Sequence, residues 1–427
     1  MRERYGANDT TFFTAMTGSA AYQLGPDASG KMATTFHAWL GVGVESLTDR
    51  NTIQEVIKPW VRKRHNVTKR VFVDEISFID GTFFEYADRA LQITRKNSRP
   101  FGGIQIILLG DFLQLKSRST FYAFATASWR RLIGDRVIVL QQVFRQNDPV
   151  MIRYLAEIRV GEVSDEADTF IKENLVKAPP VPVVGVPPPV SLYPSRDEVK
   201  LHNETELKKL PGEPVVFTAR DGCELKSESY LTRLINDCGA SSPLTLKVGA
   251  PVMLLVNTNT DKGLTNGAVG IATKFIKSRI ADEGIVPVVT IRGTLQKFGY
   301  HQFSLTNKAR VVAWRYQIPL SLAWALTIHK CQGLTLWEMI LDTRRIREEH
   351  QIYSALSRMR DWSRTYLTYW NRSLVKVDRK VLEFYAKYDP TMARFAAAKP
   401  PPRPLMSAAA AAELEANPLL GIEDEFA

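Results

Sequence analysis

RVFVDEISFID (70–80) and IQIILLGDFLQL (104–115) are the two stretches that decide the fold. Each is an almost continuous apolar run, and each ends in polar side chains. Such runs are typical of parallel strands that are buried on both faces of a sheet. TTFFTAM (10–16) and RVIVLQQ (136–142) have the same character, and a helical stretch lies around 83–95. The first part of the chain therefore predicts a doubly wound α/β domain.

Polar side chains stand where two of these strands end. Asp74 and Glu75 close the first run, and Gln114 follows the second. One carboxylate at such a place can hold Mg²⁺, and its neighbour can orient and deprotonate an attacking water. An acidic pair can equally favour the start of a helix through its charge alone. Because Gln114 lies at the same predicted edge, where its amide can sense a terminal phosphate, the sequence favours nucleotide hydrolysis.

Two arginines and one polar segment are further candidates. Arg145 lies in VFRQND and Arg358 in YSALSRMR. Phosphoryl transfer gains from an arginine placed against the developing charge, although most single arginines are surface residues. AWALTIHKCQGLTL (323–336) brings polar side chains directly after an apolar run, which indicates a site without naming its ligand. Those side chains are Thr327, His329, Lys330 and Gln332.

Two segments after the first strand have the composition of a phosphate and base contact. TGSAAYQLG (17–25) contains a glycine turn, whose backbone amides can hold phosphate. TTFHAWLGVG (34–43) carries Phe36, His37 and Trp39, and such rings can stack on bases. The alternative is that an aromatic cluster on a helix belongs to the core, and this applies most strongly to Trp39.

GPDASGKM (25–32) nearly fits the phosphate-binding P-loop pattern GxxxxGK(S/T). We reject the match because Met32 has no hydroxyl group for Mg²⁺ and because the segment follows a predicted helix rather than a strand. Pro26 and Asp27 also stand where a smooth cradle of amides is needed. No other segment of the sequence fits, so we interpret this one as a surface loop.

The rest of the chain divides by composition. Helical patterns cover 143–176, and the proline-rich KAPPVPVVGVPPPV (177–190) predicts an extended connector that is neither helix nor central strand. Strand and turn patterns then fill about 213–315, as in a small barrel-like, β-rich insert. Helix and strand signals alternate again to about 386, and an Ala/Pro-rich tail follows, which predicts disorder.

The composition sets wider limits. Lys plus Arg number 56 against 45 Asp plus Glu, and the net charge of +11 fits a polyanionic partner, although many soluble proteins are mildly basic. Cys223, Cys238 and Cys331 lack the spacing of a zinc site or a disulfide framework. We expect no membrane partner, because no apolar run reaches the roughly 18 residues of a spanning helix. The first residues do not read as a signal peptide.

At this point the sequence resembles one family in detail. DEISFIDGTFFEYADRALQITRKNSRPFGGIQIILLGDFLQL (74–115) is similar to the signature region of the PIF (petite integration frequency) family of superfamily-one DNA helicases. TGSAA with TFHAWLGVG resembles the family's motif Ia and its extension, and VFRQNDPVMIRYLAEIRVGE resembles motif IV. LTLKVGAPVMLLVN with GLTNGAVG resembles the β-rich insert. LAWALTIHKCQGLTL and HQIYSALSRMR resemble motifs V and VI, so the match keeps its order to about residue 386.

The resemblance implies an α/β fold of two RecA-like domains of the P-loop-NTPase type, with the small β-rich insert in the second. The expected ranges are 1–142 for the first domain, 143–212 and 316–386 for the second, 213–315 for the insert and 387–427 for a disordered tail. The implied activity is ATP-dependent, 5′-to-3′ unwinding of DNA with Mg²⁺, by a monomer on single-stranded and forked DNA. Nuclear and mitochondrial locations, and roles in repair, recombination, replication and telomere maintenance, all fit the family.

The resemblance also carries roles to individual residues. Asp74 would bind Mg²⁺ and Glu75 would act as the base. Gln114, Arg145 and Arg358 would contact the γ-phosphate. Gln332 and Gly333 would couple the nucleotide to DNA. The residues expected to contact the single strand are Thr17, Gly18, Phe36, His37, His329, Lys330 and Thr335.

Some positions depart from the family pattern. Lys116-Ser117 replace a usual Pro-Pro, His350 a usual Gly, Ser354 a usual Val and Cys331 a usual Ser. The large departure is the absence of the P-loop. In the family a helix whose end resembles MRERYG follows that loop, so we expect the loop just upstream of Met1 and little ATPase activity from this chain alone. The alternatives are a single-strand-binding or regulatory protein without hydrolysis, and a helicase subunit of a nuclease–recombination complex, against which the signature segment argues.

Overall fold

In the computed structural model the chain forms two compact units, residues 1–140 with 210–323 and residues 141–209 with 324–427. Residues 210–323 interrupt the second unit along the chain, as the expected insert does, and group with the first unit. The structure describes residues 10–17, 20–21, 24, 33–41, 57–117, 119, 121–180, 188–223, 231–232, 234–235, 238–259, 262, 264, 266–278, 280, 284–307, 310–336 and 338–397.

The strands of these residues, in chain order, are β1 (Thr11–Ala15), β2 (Thr34–Thr35), β3 (Arg70–Asp74), β4 (Gln105–Leu108), β5 (Val190–Tyr193), β6 (Val215–Phe217), β7 (Arg220–Cys223), β8 (Leu244–Leu246), β9 (Pro251–Leu254), β10 (Val269–Lys277), β11 (Ile285–Ile291), β12 (Thr294–Lys297), β13 (His301–Asn307), β14 (Arg310–Gln317), β15 (Leu320–Leu322), β16 (Ala325–Thr327), β17 (Met339–Leu341) and β18 (Thr365–Leu367).

The α-helices are α1 (Phe36–Leu40), α2 (Pro59–Val67), α3 (Gly81–Thr94), α4 (Ala127–Leu132), α5 (Pro149–Val160), α6 (Asp165–Asn174), α7 (Arg196–Lys209), α8 (Ile328–Cys331), α9 (Gln351–Leu356), α10 (Arg379–Ala386) and α11 (Ala393–Ala397). Short 3₁₀ turns lie at Ile76–Phe78, Pro100–Gly103, Ala123–Ala125, Trp362–Arg364, Arg372–Leu374 and Pro390–Met392. Of the described helices, none is long and apolar enough to span a bilayer.

The first unit contains a parallel sheet in the order β2-β1-β3-β4. Val71 and Val73 of β3 are completely buried, as expected for a strand covered on both faces. Helix α3 follows β3 in the chain and begins where the carboxylate of Asp80 accepts the Phe83 N–H at 2.8 Å, which is an N-cap. The predictions for β1, β3, β4 and the helix around 83–95 are confirmed.

The predicted strand at 136–142 is wrong. In the structure Ile138 is 87% exposed and Leu140 is 84% exposed, and no ladder bonds join this stretch to any described strand. The alternation of apolar residues is compatible with a strand. A strand also needs a neighbouring strand whose backbone N–H and C=O groups are free to hydrogen-bond with it. Here the apolar side chains are left in water, together with Phe144 at 80% exposure.

The second unit has its own parallel sheet, in the order β16-β5-β17-β18. β5, which begins at Val190, lies inside this sheet. The sequence predicted no central strand in the proline-rich connector, whose range ends at Val190, so the prediction is wrong for that residue. The strand follows the last proline and is only four residues long, so its own pattern is too short to read. Helical turns continue to Ala397, into the range expected to be disordered, and the later residues of that tail lie outside the described part.

The β-rich region consists of antiparallel sheets. Five strands follow the order β12-β11-β10-β9-β15, three follow β13-β14-β7, and β6 pairs with β8. Side chains from several of these strands share one apolar core, which includes Phe217, Leu246, Leu254, Val289 and Leu320. Strands therefore make up most of the described residues between 213 and 315, while 231–232, 234–235 and 238 are helical.

Candidate active site and DNA interface

A tight backbone turn presents the acidic pair at the carboxyl edge of the first sheet. Asp74 ends β3, and its carbonyl accepts the Met16 N–H at 3.1 Å. Glu75 has φ 58°, in the left-handed region, and its N–H donates to Asp74 Oδ1 at 2.9 Å. A left-handed conformation costs a residue with a Cβ about 1–2 kcal/mol. This sharp change of direction fixes both carboxyl groups at the strand end.

The neighbouring strand end presses against the same turn. The Ile76 N–H donates to Leu109 O at 2.9 Å, and Gly110 follows with φ 141°. A Cβ at Gly110 would lie 2.8 Å from the Ile76 nitrogen, so only glycine fits between the two strand ends. The close approach brings the turn that follows β4 beside the acidic pair.

Gln114 stands on that turn. Its N–H donates to Asp111 O at 3.0 Å, and the Leu113 N–H donates to Asp111 Oδ1 at 3.0 Å. Phe112 and Leu115 are buried on either side, so Gln114 is held between two apolar anchors while remaining partly exposed. The structure thus brings Asp74, Glu75 and Gln114 to the same edge of one sheet.

The electrostatics of this edge suit a cation. Burial raises the pKa of Asp74 above its usual range, and the hydrogen bond from the Glu75 N–H opposes that rise. A partly buried carboxylate of this kind is stabilised by a nearby positive charge. Among the described residues, no group of three or more His, Cys, Asp or Glu side chains is arranged so that it could hold a metal ion by itself. Asp74 is the residue of this edge that could contribute a ligand to Mg²⁺, an ion that commonly takes one or two carboxylates and completes its shell with phosphate oxygens and water.

The expected DNA-contacting residues of the first unit separate into exposed and buried groups. Thr17 Oγ1, just after β1, accepts the Ala20 N–H at 3.1 Å. The His37 ring stacks on Phe83 with centroids 4.4 Å apart, and burial lowers the pKa of His37 while the charge of Asp80 opposes this shift. The His37 ring is therefore partly exposed and held from one side by Phe83.

Phe36 is 1% exposed. It lies between Trp39, stacked at 5.8 Å, and Phe83, edge-on at 6.0 Å, so the expectation that it stacks on bases is corrected. Trp39 is buried too, in line with the core alternative, and Gly18 lies outside the described residues.

In the second unit, the segment after β16 also divides into inward and outward side chains. Thr327 caps α8 by accepting the Lys330 N–H at 3.3 Å. Gln332 is buried, and Gly333 has φ 79°, where glycine is favoured. His329 Nε2 lies 3.4 Å from Glu348 Oε2, and its side chain is one-third exposed. Lys330 and Thr335 are exposed as well.

The two candidate arginines meet at one residue, Ser357. Arg145 Nη1 donates to Ser357 O at 3.1 Å. Gln146, which follows it, donates to Ser357 O at 3.2 Å and to Met359 O at 2.9 Å. Side-chain amides that bond two backbone carbonyls fix a loop in place. Gln146 was missed in the sequence, where its only signal was that it stands next to Arg145.

Arg358 approaches Ser357 from the other side. Its Nη2 donates to Ser357 Oγ at 3.0 Å, and its Nε donates to Ser354 O at 2.9 Å. The residue is only 1% exposed, which is rare for an arginine and requires such hydrogen bonds. Both arginines are thus attached to the end of α9.

Three of the residues that depart from the family pattern lie in defined surroundings. His350, where glycine is usual, has φ 66°, and its Nε2 accepts the Asp378 N–H at 3.2 Å. Lys116, where proline is usual, donates to Tyr122 Oη at 2.9 Å and lies 4.8 Å from that ring's centre. Burial raises the pKa of the Cys331 thiol to about 12, so that it behaves as a small apolar residue.

Comparisons with known proteins find similarity to one family of helicases. A model of the PIF1-like helicase family matches residues 4–167, and a model of the DNA helicase Pif1 2B domain matches residues 229–275. The chain is 32% identical over 386 residues to the ATP-dependent DNA helicase PIF1 of Xenopus laevis, covering 88% of this chain and 57% of that protein. The chain therefore spans little more than half the length of the curated relatives that it matches.

Solved structures are similar over nearly the whole chain. The crystal structure of Pif1 helicase from Candida albicans superposes with a TM-score of 0.79 at 31% identity, covering 91% of this chain and 90% of that one. Pif1 helicase from Bacteroides, crystallised with ADP-AlF3 and ssDNA, has a TM-score of 0.71 at 23% identity, covering 89% and 88%, and supports the fold alone. The expected fold of two RecA-like α/β domains is confirmed.

Proposed function

The chain belongs to the PIF1-like helicase family, and we propose that it carries the motor of an ATP-dependent DNA helicase that moves 5′ to 3′ on single strands. The observation that carries this proposal is the carboxyl edge of the first sheet. There Asp74, Glu75 and Gln114 occupy adjacent strand ends that a close glycine contact holds together. That set of groups suits the hydrolysis of a nucleoside triphosphate.

The residues have distinct tasks in this chemistry. Asp74 would hold the Mg²⁺ that neutralises charge on the phosphates. Glu75 would accept a proton from the attacking water, and Gln114 would hydrogen-bond the terminal phosphate. Arg145 and Arg358 would stabilise the charge that develops on that phosphate. We propose that Gln332 and Gly333 couple the nucleotide to DNA.

The polymer partner is DNA with a single-stranded portion. Thr17, His37, His329, Lys330 and Thr335 supply hydroxyl, imidazole and ammonium groups, which suit phosphates and base edges. The net charge of +11 favours a polyanion. We propose that the protein works as a monomer on single-stranded and forked DNA of the nucleus or mitochondrion.

A second candidate function is single-strand binding without hydrolysis. The observation that favours it is that the 427 residues contain no complete GxxxxGK(S/T) pattern. Without that loop the phosphates lose their amide cradle and their lysine. We therefore expect DNA binding from this chain, together with ATP turnover close to background.

Fluorescence anisotropy of a labelled oligo-thymidine tests the DNA-binding part of the proposal. We expect the affinity for the single strand to exceed that for a blunt duplex of equal length and to fall as salt rises. His329→Ala and His37→Ala should each weaken binding, whereas Arg379→Ala, on an exposed site of α10, is the matched surface control. Equal affinity for both forms of DNA would contradict the proposal.

A further inference from the structure

One sheet of the insert has two unlike faces. In the antiparallel sheet β13-β14-β7, alternate residues point to opposite sides. Ala313, Arg315 and Gln317 of β14 are buried. Trp314 and Tyr316, which alternate with them, face the other side, and Tyr316 is 36% exposed.

On this second face the guanidinium of Arg220 lies near two tyrosine rings. Arg220 pairs with Tyr316 across the strands, and its guanidinium carbon lies 5.9 Å from the centre of the Tyr316 ring. The same carbon lies 5.5 Å from the Tyr300 ring centre. On the other neighbouring strand, the Tyr316 hydroxyl donates to Gln302 Oε1 at 2.5 Å. The result is a row of flat groups with an exposed amide at one end.

A glycine extends this row beneath the tryptophan. Gly222 pairs with Trp314, and a Cβ on Gly222 would lie 2.4 Å from atoms of the indole ring. The indole ring therefore lies across the backbone of Gly222, and a side chain at position 222 would occupy the space that the ring fills. Gly222 and Arg220 are on the same face, because they are two positions apart on β7.

The sheet is fixed from behind. Arg315 donates two hydrogen bonds of 2.7 Å to the carboxylate of Asp221 and a third, also of 2.7 Å, to Ala240 O. The Gln317 amide donates to Phe217 O at 3.0 Å and to Ser241 O at 2.7 Å. Since these bonds hold the buried face, the rings of the other face are presented in a set arrangement before any ligand arrives.

Cross-strand aromatic pairs also stabilise sheets by themselves, by about 0.2–1 kcal/mol each. Stabilising the sheet in this way does not require a cation beside the rings. It also does not require that the cation be exposed, and Arg220 is exposed. Aromatic rings and guanidinium planes on a sheet are the groups on which unpaired bases stack, and a guanidinium also binds phosphate. A side-chain amide such as that of Gln302 can hydrogen-bond base edges.

We propose that the face formed by Arg220, Gln302, Trp314 and Tyr316 binds single-stranded nucleic acid through its unpaired bases. The choice of DNA as the single-stranded ligand rests on the proposed function. The face adds an accessory contact on the insert that is separate in sequence from the motif residues. Arg220 binds phosphate or stacks between bases, and the rings carry the base contact.

The test measures binding of the full chain to a labelled oligo-thymidine by anisotropy over a salt series. Tyr316→Ala should weaken binding at least fivefold, on the scale of one lost base stack. Arg220→Ala should weaken binding and lower the slope of affinity against salt by about one counterion. Arg220→Lys keeps the charge and should keep the slope while losing affinity. Lys297→Ala, which removes an exposed charge from β12 on another sheet, is the matched control.

Far-ultraviolet circular dichroism and thermal melting would accompany each variant, and Tyr316→Phe should restore near-wild-type affinity if stacking matters. Affinities within twofold of wild type for Tyr316→Ala and Arg220→Ala would overturn the inference while leaving the proposed function intact. A loss as large in Lys297→Ala would overturn it as well, because charge alone would then explain the effect. Failure of the wild-type chain to bind any single strand would contradict both proposals.

Discussion

His65 makes the packing beneath helix α1 sensitive to acid. The imidazole is fully buried, lies 5.1 Å from the Trp39 ring, and has Nδ1 3.1 Å from Thr94 Oγ1. Burial, reinforced by the positive charges of Arg64 and Arg95, lowers the pKa of His65 from 6.5 to about 4, although a hydrogen bond to Trp39 O opposes the shift. At a pH between these two pKa values, His65 is therefore protonated in the unfolded chain and neutral in the folded chain.

The size of the effect follows from that difference. Stability is fully present above the unfolded pKa and is lost as the pH falls toward the folded one. With pKa values of 6.5 and about 4, the free energy of unfolding should drop by about 2 kcal/mol between roughly pH 7 and pH 5. The total loss approaches about 3 kcal/mol near the folded pKa.

Urea unfolding of wild type and of His65→Gln, measured at a series of pH values, isolates this contribution. Carboxylates titrate in both proteins, so their effects cancel in the difference. We expect the variant to be less stable at neutral pH, because it loses the stacked ring, but its deficit should shrink by about 2 kcal/mol at about pH 5. A difference that stays constant across the series would refute the assignment of a neutral, buried His65.

Three other perturbations test separate parts of the structure. Gly110→Ala should destabilise the first unit by roughly 2–3 kcal/mol, because its Cβ would lie 2.8 Å from Ile76 N; an unchanged melting temperature would contradict the close contact. Arg358→Ala should lower the free energy of unfolding by roughly 2–4 kcal/mol, whereas Arg145→Ala, at an exposed position, should lower it by less than about 1 kcal/mol. Equal losses in urea unfolding would argue against the role of Arg358 as a buried, hydrogen-bonded support of α9. Replacing Ile138 and Leu140 with serine should reduce dye binding and light scattering without lowering the melting temperature, and a drop in that temperature would mean that these side chains are packed.

The sheets were readable from the sequence where their residues are covered on both faces. β1, β3 and β4 are continuous apolar runs, and the end of such a run predicts the polar residues at the sheet edge, here Asp74, Glu75 and Gln114. The pattern at 136–142 misled because an extended, apolar segment reads the same with or without a partner strand. β5 escaped because four residues after a proline-rich segment carry too little pattern.

Side-chain direction was harder to predict than backbone. Phe36 and His37 are adjacent on α1, and only the packing against Trp39 and Phe83 shows that the first is core and the second is half-exposed. The convergence of Arg145 and Arg358 on Ser357 joins residues more than 200 positions apart, so no local spacing could reveal it.

The central claim is that the edge formed by Asp74, Glu75 and Gln114 hydrolyses ATP once a phosphate cradle is supplied. The most direct measurement is DNA-stimulated phosphate release by a fusion that places a strand–GxxxxGK(S/T)–helix unit ahead of residue 1. We expect turnover well above that of the unfused chain, stimulation by single-stranded DNA, and loss of roughly 10²-fold or more in Glu75→Gln. A fusion that folds and binds DNA but stays inactive, or turnover that survives Glu75→Gln, would contradict the account.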